Sequence, residues 1–395
     1  MKKVSIYRFF VLNIIHNMIA NFAHPITPTF IQDLHLSDYM FGVAFSCMAL
    51  ANFLFSPFWG KISKKIGPAR IMTYSFFGYA FGQWLFMIST TEIGIGLARF
   101  IAGVFTGCIA VNQMLYIIVN SKENKSKNLA VMATIIAVSS PFGFLIGGLI
   151  GDYSIRMTFI VQIIGLVMMG VLFLLFMDDD VVIGELNVKQ TLIESNPFRA
   201  FKDASKLLNI FFVAFFAVVM LTSFASTAYD QSFNYYIKDQ FGFLPSHNGI
   251  LKAVVGFITL IANSTICLWL LNKTRIIKSI ISVLTICAIM MIGIIFVDNS
   301  GAFIIINVVF FGFNAVYLPM LQSIMSSISK NNGVLVGFYN SMRSVGMVIG
   351  SLIAGLVYSI HPKMAFVLAL FAFAGSIILS IYNMKSVDRY PDINL

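Results

Sequence analysis

The sequence has 395 residues, 58% of them hydrophobic and only 11% charged, with a mean hydropathy of +0.88 and a formal net charge of +10. A soluble domain carries about 25% charged residues, so a chain this poor in charge cannot cover a water-facing surface. The length would suit two or three soluble domains, but apolar runs of about 18 residues or more, each able to cross a bilayer core as a helix, recur from end to end.

Twelve such runs are expected, at 6–29, 39–59, 70–88, 93–118, 129–151, 156–177, 206–235, 246–271, 277–297, 300–328, 333–360 and 363–384. The first is too long for the core of a cleavable signal peptide and no small-residue cleavage site follows it, so Met1-Lys2-Lys3 reads as a retained cytoplasmic start. Of the 26 Lys and Arg, three (Arg156, Lys238, Lys363) fall in loops of the opposite side and three (Arg99, Lys252, Arg343) fall within runs; the remaining 20 lie in loops and tails on one side. That bias follows the positive-inside rule. It places both termini on the cytoplasmic side of the cell (inner, or plasma) membrane. Because the positive charge alternates with the loops, it does not form a nucleic-acid-binding face.

Run 1 carries His16, Asn17, Asn21 and His24, followed by Pro25 and Pro28. Histidines titrate near neutral pH, so this pair reads either as a proton relay or as polar lining. Between runs 2 and 3 stands Gly60-Lys61-Ile62-Ser63-Lys64-Lys65-Ile66-Gly67-Pro68-Ala69-Arg70, whose two glycines permit a tight turn. Run 4 holds Arg99 with Gly103 and Gly107 behind it, then Asn112 and Gln113. An arginine at membrane depth needs a polar partner or a water-filled cavity; it is either structural, bonding backbone carbonyls, or functional. Run 5 holds Pro141, a source of a kink, with Gly143, Gly147 and Gly148.

The longest polar stretch, 178–205, separates six runs from six, as a cytoplasmic linker would. In the second half, run 7 carries Asp230, the one acidic residue inside an apolar run, with Asp239 nine residues on. Asp230 reads as a membrane carboxylate or as a water-exposed residue at the outer end of its run. Run 8 carries Lys252, run 10 Gly312-Phe313-Asn314, and run 11 Asn340 and Arg343. Arg343 and Lys252 count against a purely cation-selective site; they attract an anionic substrate group or pair with Asp230. Gly143-Phe-Leu-Ile-Gly-Gly-Leu-Ile in run 5 is echoed by Gly346-Met-Val-Ile-Gly-Ser-Leu-Ile in run 11. Small-xxx-small spacing lets helices approach closely, and matching positions in two halves suit a parallel repeat of two bundles, 1–177 and 206–395. The expected fold is an all-α membrane protein, twelve transmembrane helices in two six-helix bundles.

Cys47, Cys108, Cys267 and Cys287 have no CxxC partner and read as packing residues; no metal or cofactor is expected. HExxH, GxSxG and phosphate-loop patterns are missing from the sequence, as are the repeated filter segments of a channel. These observations disfavour an enzyme, a pump powered by nucleotide within this chain, and a pore.

Several of these stretches resemble one family. Gly60 to Arg70 resembles the loop signature G-x-L-A-D-R-x-G-R-K of the major facilitator superfamily, with Lys64 where the family has Asp and Pro68-Ala69 in place of its basic pair. In the family that Asp joins a cytoplasmic charge network latching the two halves. Leu97 to Gly107 resembles L-x-x-x-R-x-x-x-G-x-x-x-G, whose arginine is linked to proton coupling. Gly143, Gly147 and Gly148 match G-P-x-x-G-G in part, with Phe144 replacing the proline; Arg156 to Phe159 resembles R-x-x-F, and Pro25 to Pro28 the P-x-x-P of drug antiporters. The Asp230/Asp239 spacing is that of the twelve-helix multidrug/proton antiporters of Gram-positive bacteria, and Asn314 stands where they carry a second carboxylate.

The resemblance implies a secondary active transporter that couples proton entry to efflux of amphipathic drugs or other small molecules by alternating access. It implies a monomer whose partners are substrate, protons and the lipid bilayer. The expected proton-coupling residues are Asp230, Arg99, His16 and His24; Asn17, Asn21, Asn112, Gln113, Asn314, Asn340 and Arg343 are expected around substrate, with Phe and Met side chains giving an adaptable lining. Gly60, Lys64, Gly67, Gly103, Gly107, Pro141, Gly143, Gly147 and Gly148 are expected to serve conformational motifs. The alternatives are a dedicated exporter of one metabolite (a sugar, amino acid, metallophore or lipid-linked compound) and a proton symporter. Topology is checked by placing single cysteines at Ser37 and Lys189: membrane-impermeant thiol reagents should reach them from opposite sides, and labelling of both from one side contradicts the assignment.

Overall fold

The computed structural model describes residues 6–121, 124–177, 191, 195–205, 208–329 and 333–387, and its elements are all helical. They are α1 (Ile6–Ala20), α2 (Thr27–Asp33), α3 (Met40–Ile66), α4 (Pro68–Ile88), α5 (Glu92–Asn120), α6 (Lys125–Tyr153), α7 (Ile155–Phe176) and α8 (Arg199–Ser205). There follow α9 (Ile210–Asp239), α10 (Pro245–Ala262), a π turn (Asn263–Cys267), α11 (Leu268–Lys273), α12 (Ile276–Phe296), α13 (Ser300–Ser329), α14 (Gly333–Tyr358) and α15 (Met364–Val387). Among the described residues ten spans are long and apolar enough to cross a membrane, α10 to α11 counting as one. Of the twelve expected runs the other two form α1 and α4, the first a shorter apolar helix. Most of the expected linker, 178–205, lies outside the described residues.

Only α-helices and closed barrels satisfy every backbone group inside lipid. Helix starts carry the matching chemistry. Thr91 and Ser154 accept from the backbone N–H of Gly94 and Met157 at 3.1 and 3.2 Å, and Asn209 and Asn299 do the same for Phe212 and Ala302. Gly67, at φ +112°, turns the chain into α4, whose first residue is Pro68. Large side chains such as Leu174, Leu175, Phe257, Phe371 and Ile378 remain exposed, as a lipid-facing surface requires.

Three boundaries differ from the sequence reading. Run 1 does not continue to 29: α1 stops at Ala20 and the chain turns before α2. The carbonyls of Ile19 and Ala20 accept from Gln162 Nε2 at 3.0 and 2.9 Å, and Ala20 also from the Tyr79 hydroxyl at 3.1 Å. A helix end is thereby satisfied without water. Run 2 extends through Lys61, Lys64 and Lys65 to Ile66, so Gly60 sits inside α3 and takes no part in a turn; Gly67 alone does that work. Charged residues at a helix terminus end the apolar run before they end the helix. Run 8 is interrupted by the π turn.

The chain forms two compact units. The first gathers 1–37, 47–197 and 237–256; the second gathers 38–46, 198–236 and 257–395. In the first, Phe9 stacks on Tyr116 at 4.2 Å and Phe76 meets Phe173 edge-on at 4.8 Å. In the second, Tyr229 packs on Phe310 at 4.2 Å, beside Phe233, Phe303 and Phe366.

Lipid tails are as apolar as the helices, so close helix approach rests on small residues. In the first unit a Cβ on Gly143 would meet the Met18 carbonyl oxygen at 2.2 Å, and one on Gly147 that of Phe22 at 2.2 Å. In the second, Gly346 and Gly350 stand in the same relation to Met220 and Phe224, at 2.3 and 2.5 Å. The echo seen in runs 5 and 11 thus extends to their partners, Met and Phe four residues apart in both α1–turn and α9. Gly103 and Gly107 press α5 on the Met48 carbonyl and on Asn52 of α3, and α6 passes through Pro141 as one helix. Gly346→Ala should lower the melting temperature of the purified protein, overpacking costing about 1–3 kcal/mol. Gly337→Ala, where a Cβ meets nothing within 4 Å, should leave it level or raise it. Equal responses contradict this packing account.

Candidate functional site

The second unit contains a cavity of about 390 Å³ lined by six helical elements. From α9 come Ser223, Ser226, Thr227, Asp230 and Gln231; from α10 and the π turn, Thr259 and Asn263. From α13 come Phe311, Asn314, Ala315, Tyr317, Leu318 and Pro319; from α14, Arg343 and Met347; from the first turns of α3, Phe45. The walls are thus aromatic and aliphatic, and the polar groups converge from α9, α13, α14 and the π turn. Ligand cavities have this character and begin at about 300 Å³.

α9 runs unbroken to Asp239, so Asp230 lies nine residues inside its end, about 13 Å at ~1.5 Å per residue. Its side chain is half-buried. It is therefore not a loop residue at the end of the run. Asn314 Nδ2 donates to Ser226 Oγ at 3.1 Å, while its Oδ1 is buried and accepts no hydrogen bond among the described residues. Asn263 Oδ1 is in the same condition. π turns add a residue to a helix and often mark functional positions; this one begins at Asn263. Pro319 has no N–H to offer the Ala315 carbonyl four residues back, and both residues line the cavity.

The structure brings Asp230, Asn314 and Arg343 together and leaves Asn340 exposed, outside the lining. The remaining expected residues belong to the first unit. There Gln113 donates to Asn13 Oδ1 at 2.7 Å, and Asn13, Asn17 and Asn21 each donate to the carbonyl four residues back, at 2.8, 2.7 and 2.7 Å. Asn112 bonds the Cys108 carbonyl at 2.8 Å. The donors of these amides are satisfied within and between helices, while Asn112 Oδ1 is buried and accepts nothing among the described residues. His16 is buried edge-on to Phe76 at 4.8 Å. His24, in the turn after α1, stacks on Phe144 at 5.3 Å with rings 12° from parallel, and Lys252 Nζ stands 6.0 Å from the same ring's centre. Arg99 is buried with its guanidinium 5.0 Å from the Phe86 ring centre, a cation–π contact, and its Nε has no hydrogen-bond partner among the described residues. Lys64 is exposed.

A larger cavity, about 480 Å³, lies in the first unit among Phe30, Asp33, Leu34, Met87, Ile88, Ile155, Arg156 and Phe159. These residues sit at the C-terminal ends of α2 and α4 and the start of α7, where a membrane helix meets water. The cavity around Asp230 is flanked by mid-helix residues, and that separates the two. Sequence reading passed over Ser226, Asn263 and Gln162. The signal for Asn263 was the polar triplet Asn263-Ser264-Thr265 inside an apolar run.

Residues 9–351 match the family model described as Major Facilitator Superfamily. Among curated proteins, the chain is similar to multidrug resistance protein 1 of Bacillus subtilis (strain 168), at 24% identity over 366 residues covering 90% of each chain. It is similar also to quinolone resistance protein NorA of Staphylococcus aureus (strain COL), at 24% over 390 residues and 94% of each. Among solved structures, the nucleoside transporter NupG superposes with a TM-score of 0.73 at 13% identity, over 98% of this chain and 99% of that one. A bacterial homologue of the human lysosomal transporter Spinster superposes with 0.74 at 10%, over 100% and 99%. At such identities the structural likeness concerns the fold. Lys64 stands exposed where the family has Asp, so Lys64→Ala is expected to change transport less than about twofold in a whole-cell efflux assay, within the usual range of a surface substitution; a collapse of transport would show that Lys64 has a role of its own.

Proposed function

The chain belongs to the Major Facilitator Superfamily and is a multi-pass membrane transporter, and from that premise we propose that it exports amphipathic drugs or other small molecules in exchange for protons. The observation that carries the reading is Asp230, a half-buried acid within α9 that shares one cavity with hydroxyl and amide groups and with aromatic walls. A carboxyl group held among apolar helices can keep a proton or face a bound ligand, and the two states exclude one another. That exclusion couples opposite flows when the cavity opens to one side at a time. Two bundles, 1–177 and 206–395, rocking about a site near the midplane, supply such access in repeat-built transporters. The names of the Bacillus and Staphylococcus relatives, multidrug and quinolone resistance, support drugs as the cargo.

In this reading Asn314 cannot titrate, which leaves Asp230 as the acid of the cavity. Arg99, His16 and His24 assist from the first unit, and the N-terminal amides position helices more than they touch substrate. Arg343 favours a second reading, export of one metabolite with an anionic group; a panel of toxic compounds tested on a deletion strain separates broad from dedicated export.

Asp230→Asn preserves shape and removes titration. The variant should fold, since a neutral amide is easier to hold in the membrane than a carboxylate. In proteoliposomes it should lose pH-gradient-driven transport of tetraphenylphosphonium by about tenfold or more, as expected for loss of a group used in every turnover. Wild-type rates in Asp230→Asn would remove Asp230 from coupling.

A further inference from the structure

The first unit's cavity of about 480 Å³ has a lining of a different kind. Six of its eight residues are apolar and the other two are Asp33 and Arg156; among the described residues no neutral hydrogen-bonding side chain takes part. One wall is aromatic: Phe30 meets Phe159 edge-on at 5.1 Å, and both meet Phe86 edge-on at 5.3 Å. Sites for water-soluble ligands fix them with placed polar groups, and these walls offer none. An apolar body with a charged end fits them instead. The surroundings show where such a body comes from. The cavity lies at the end of the first and third crossings and the start of the sixth, so its rim stands on one side of the membrane, where headgroups meet acyl chains. Ile88 lines it, and Trp84 and Phe81, one and two turns earlier on the same face of α4, are exposed. The apolar wall therefore continues from the cavity down the lipid-facing side of the helix, as a path for acyl chains.

Neither Asp33 nor Arg156 makes an ion pair or a hydrogen bond among the described residues. Each also stands where it works against its own helix. Asp33 is the last residue of α2, at the negative end of the backbone dipole, and Arg156 is the second of α7, at the positive end. Arg156 is moreover one of the three loop cations that run against the Lys/Arg bias. An occupant with one anionic and one cationic group answers both charges.

We propose that this cavity binds an aminophospholipid of the phosphatidylethanolamine type, with its phosphate on Arg156, its primary ammonium on Asp33 and its acyl chains along Ile88, Trp84 and Phe81. A phosphate diester matches the guanidinium fork, which the long arginine stem carries to the rim. A primary ammonium brings N–H donors to the carboxylate, and a quaternary choline group has none. A headgroup with phosphate alone leaves Asp33 facing a charge of its own sign. The bound lipid fastens the ends of α2, α4 and α7 to one another.

Lipid adducts on the full-length protein in detergent are counted by native mass spectrometry during titration with dioleoyl phosphatidylethanolamine and, separately, with dioleoyl phosphatidylcholine. The two lipids have the same net charge, so the lysine-bearing loops do not tell them apart. The first phosphatidylethanolamine should bind about tenfold more tightly than the first phosphatidylcholine, the value of one charge-assisted hydrogen bond. Asp33→Ala should bring that ratio close to one, and Arg156→Gln should weaken both lipids. Both residues are exposed, so both variants should fold. Millimolar glycerophosphoethanolamine, the headgroup without its chains, should displace neither lipid. Equal wild-type affinities, a ratio that survives Asp33→Ala, or an Arg156→Gln variant that binds both lipids as the wild type does would each overturn the proposal. Displacement by the soluble headgroup would overturn it as well, by showing a site for a soluble ligand.

Discussion

Helix backbones touch at glycine, and the positions of the functional side chains follow from that contact. In lipid there is little hydrophobic gain in bringing two apolar helices together, so the helices associate where carbonyl oxygens can approach a Cα that bears no side chain. Gly346 and Gly350 seat α14 on the Met220 and Phe224 carbonyls of α9. Asp230 lies less than two turns beyond Phe224, and Arg343 lies one turn before Gly346. The two charged residues line the same cavity because the glycines between them fix the register of their helices. A methyl group at either glycine separates the helices and alters the spacing of the charges.

The same contact recurs in the first unit, with Gly143 and Gly147 on Met18 and Phe22. There the acid of the helix pair, Asp152, stands in the last turn of α6 and accepts from the Ser246 backbone N–H at 2.9 Å. Its polar groups are amides that close on their own helices, together with His24 against Phe144 and Lys252. One packing device therefore serves two different purposes. In the first unit it supports a self-satisfied polar ladder and a break in α1 that Gln162 and Tyr79 complete. In the second it borders a space whose amide oxygens remain without donors. Under-bonded acceptors in a low dielectric are expensive unless a ligand or water completes them, and the first unit holds such atoms too, at Gln83, Asn112 and Gln162; what separates the second unit is the acid that lines its cavity.

Most of this architecture was legible in the sequence because it follows from composition. Apolar runs and the placement of Lys and Arg are one-dimensional signals, and the glycine echo of runs 5 and 11 survives because glycine is informative wherever it stands inside a helix. The Met-and-Phe half of the echo was hidden: in a chain with 40 Phe and 21 Met, one more pair carries no contrast. Asp230, Asn314 and Arg343 stood out as polar residues in apolar runs. Asn263 was marked only by the polar triplet it opens; the π turn that begins there is a local geometry that no spacing rule announces. The end of α1 at Ala20 was hidden for a related reason, since the group that completes it, Gln162, is more than 140 residues away. Gly60 was assigned to a turn because hydropathy falls at Lys61 while the helix persists to Ile66.

The account's central claim is that ligand and proton compete for the cavity around Asp230. The most direct test is proton release on binding, measured with a pH-sensitive dye in weakly buffered detergent solution over a series of starting pH values. Adding tetraphenylphosphonium to the wild-type protein should release protons in proportion to the ligand bound, and the same addition to Asp230→Asn should release none while some binding persists. Equal release from the two proteins, or binding to the wild type without release, would contradict the claim.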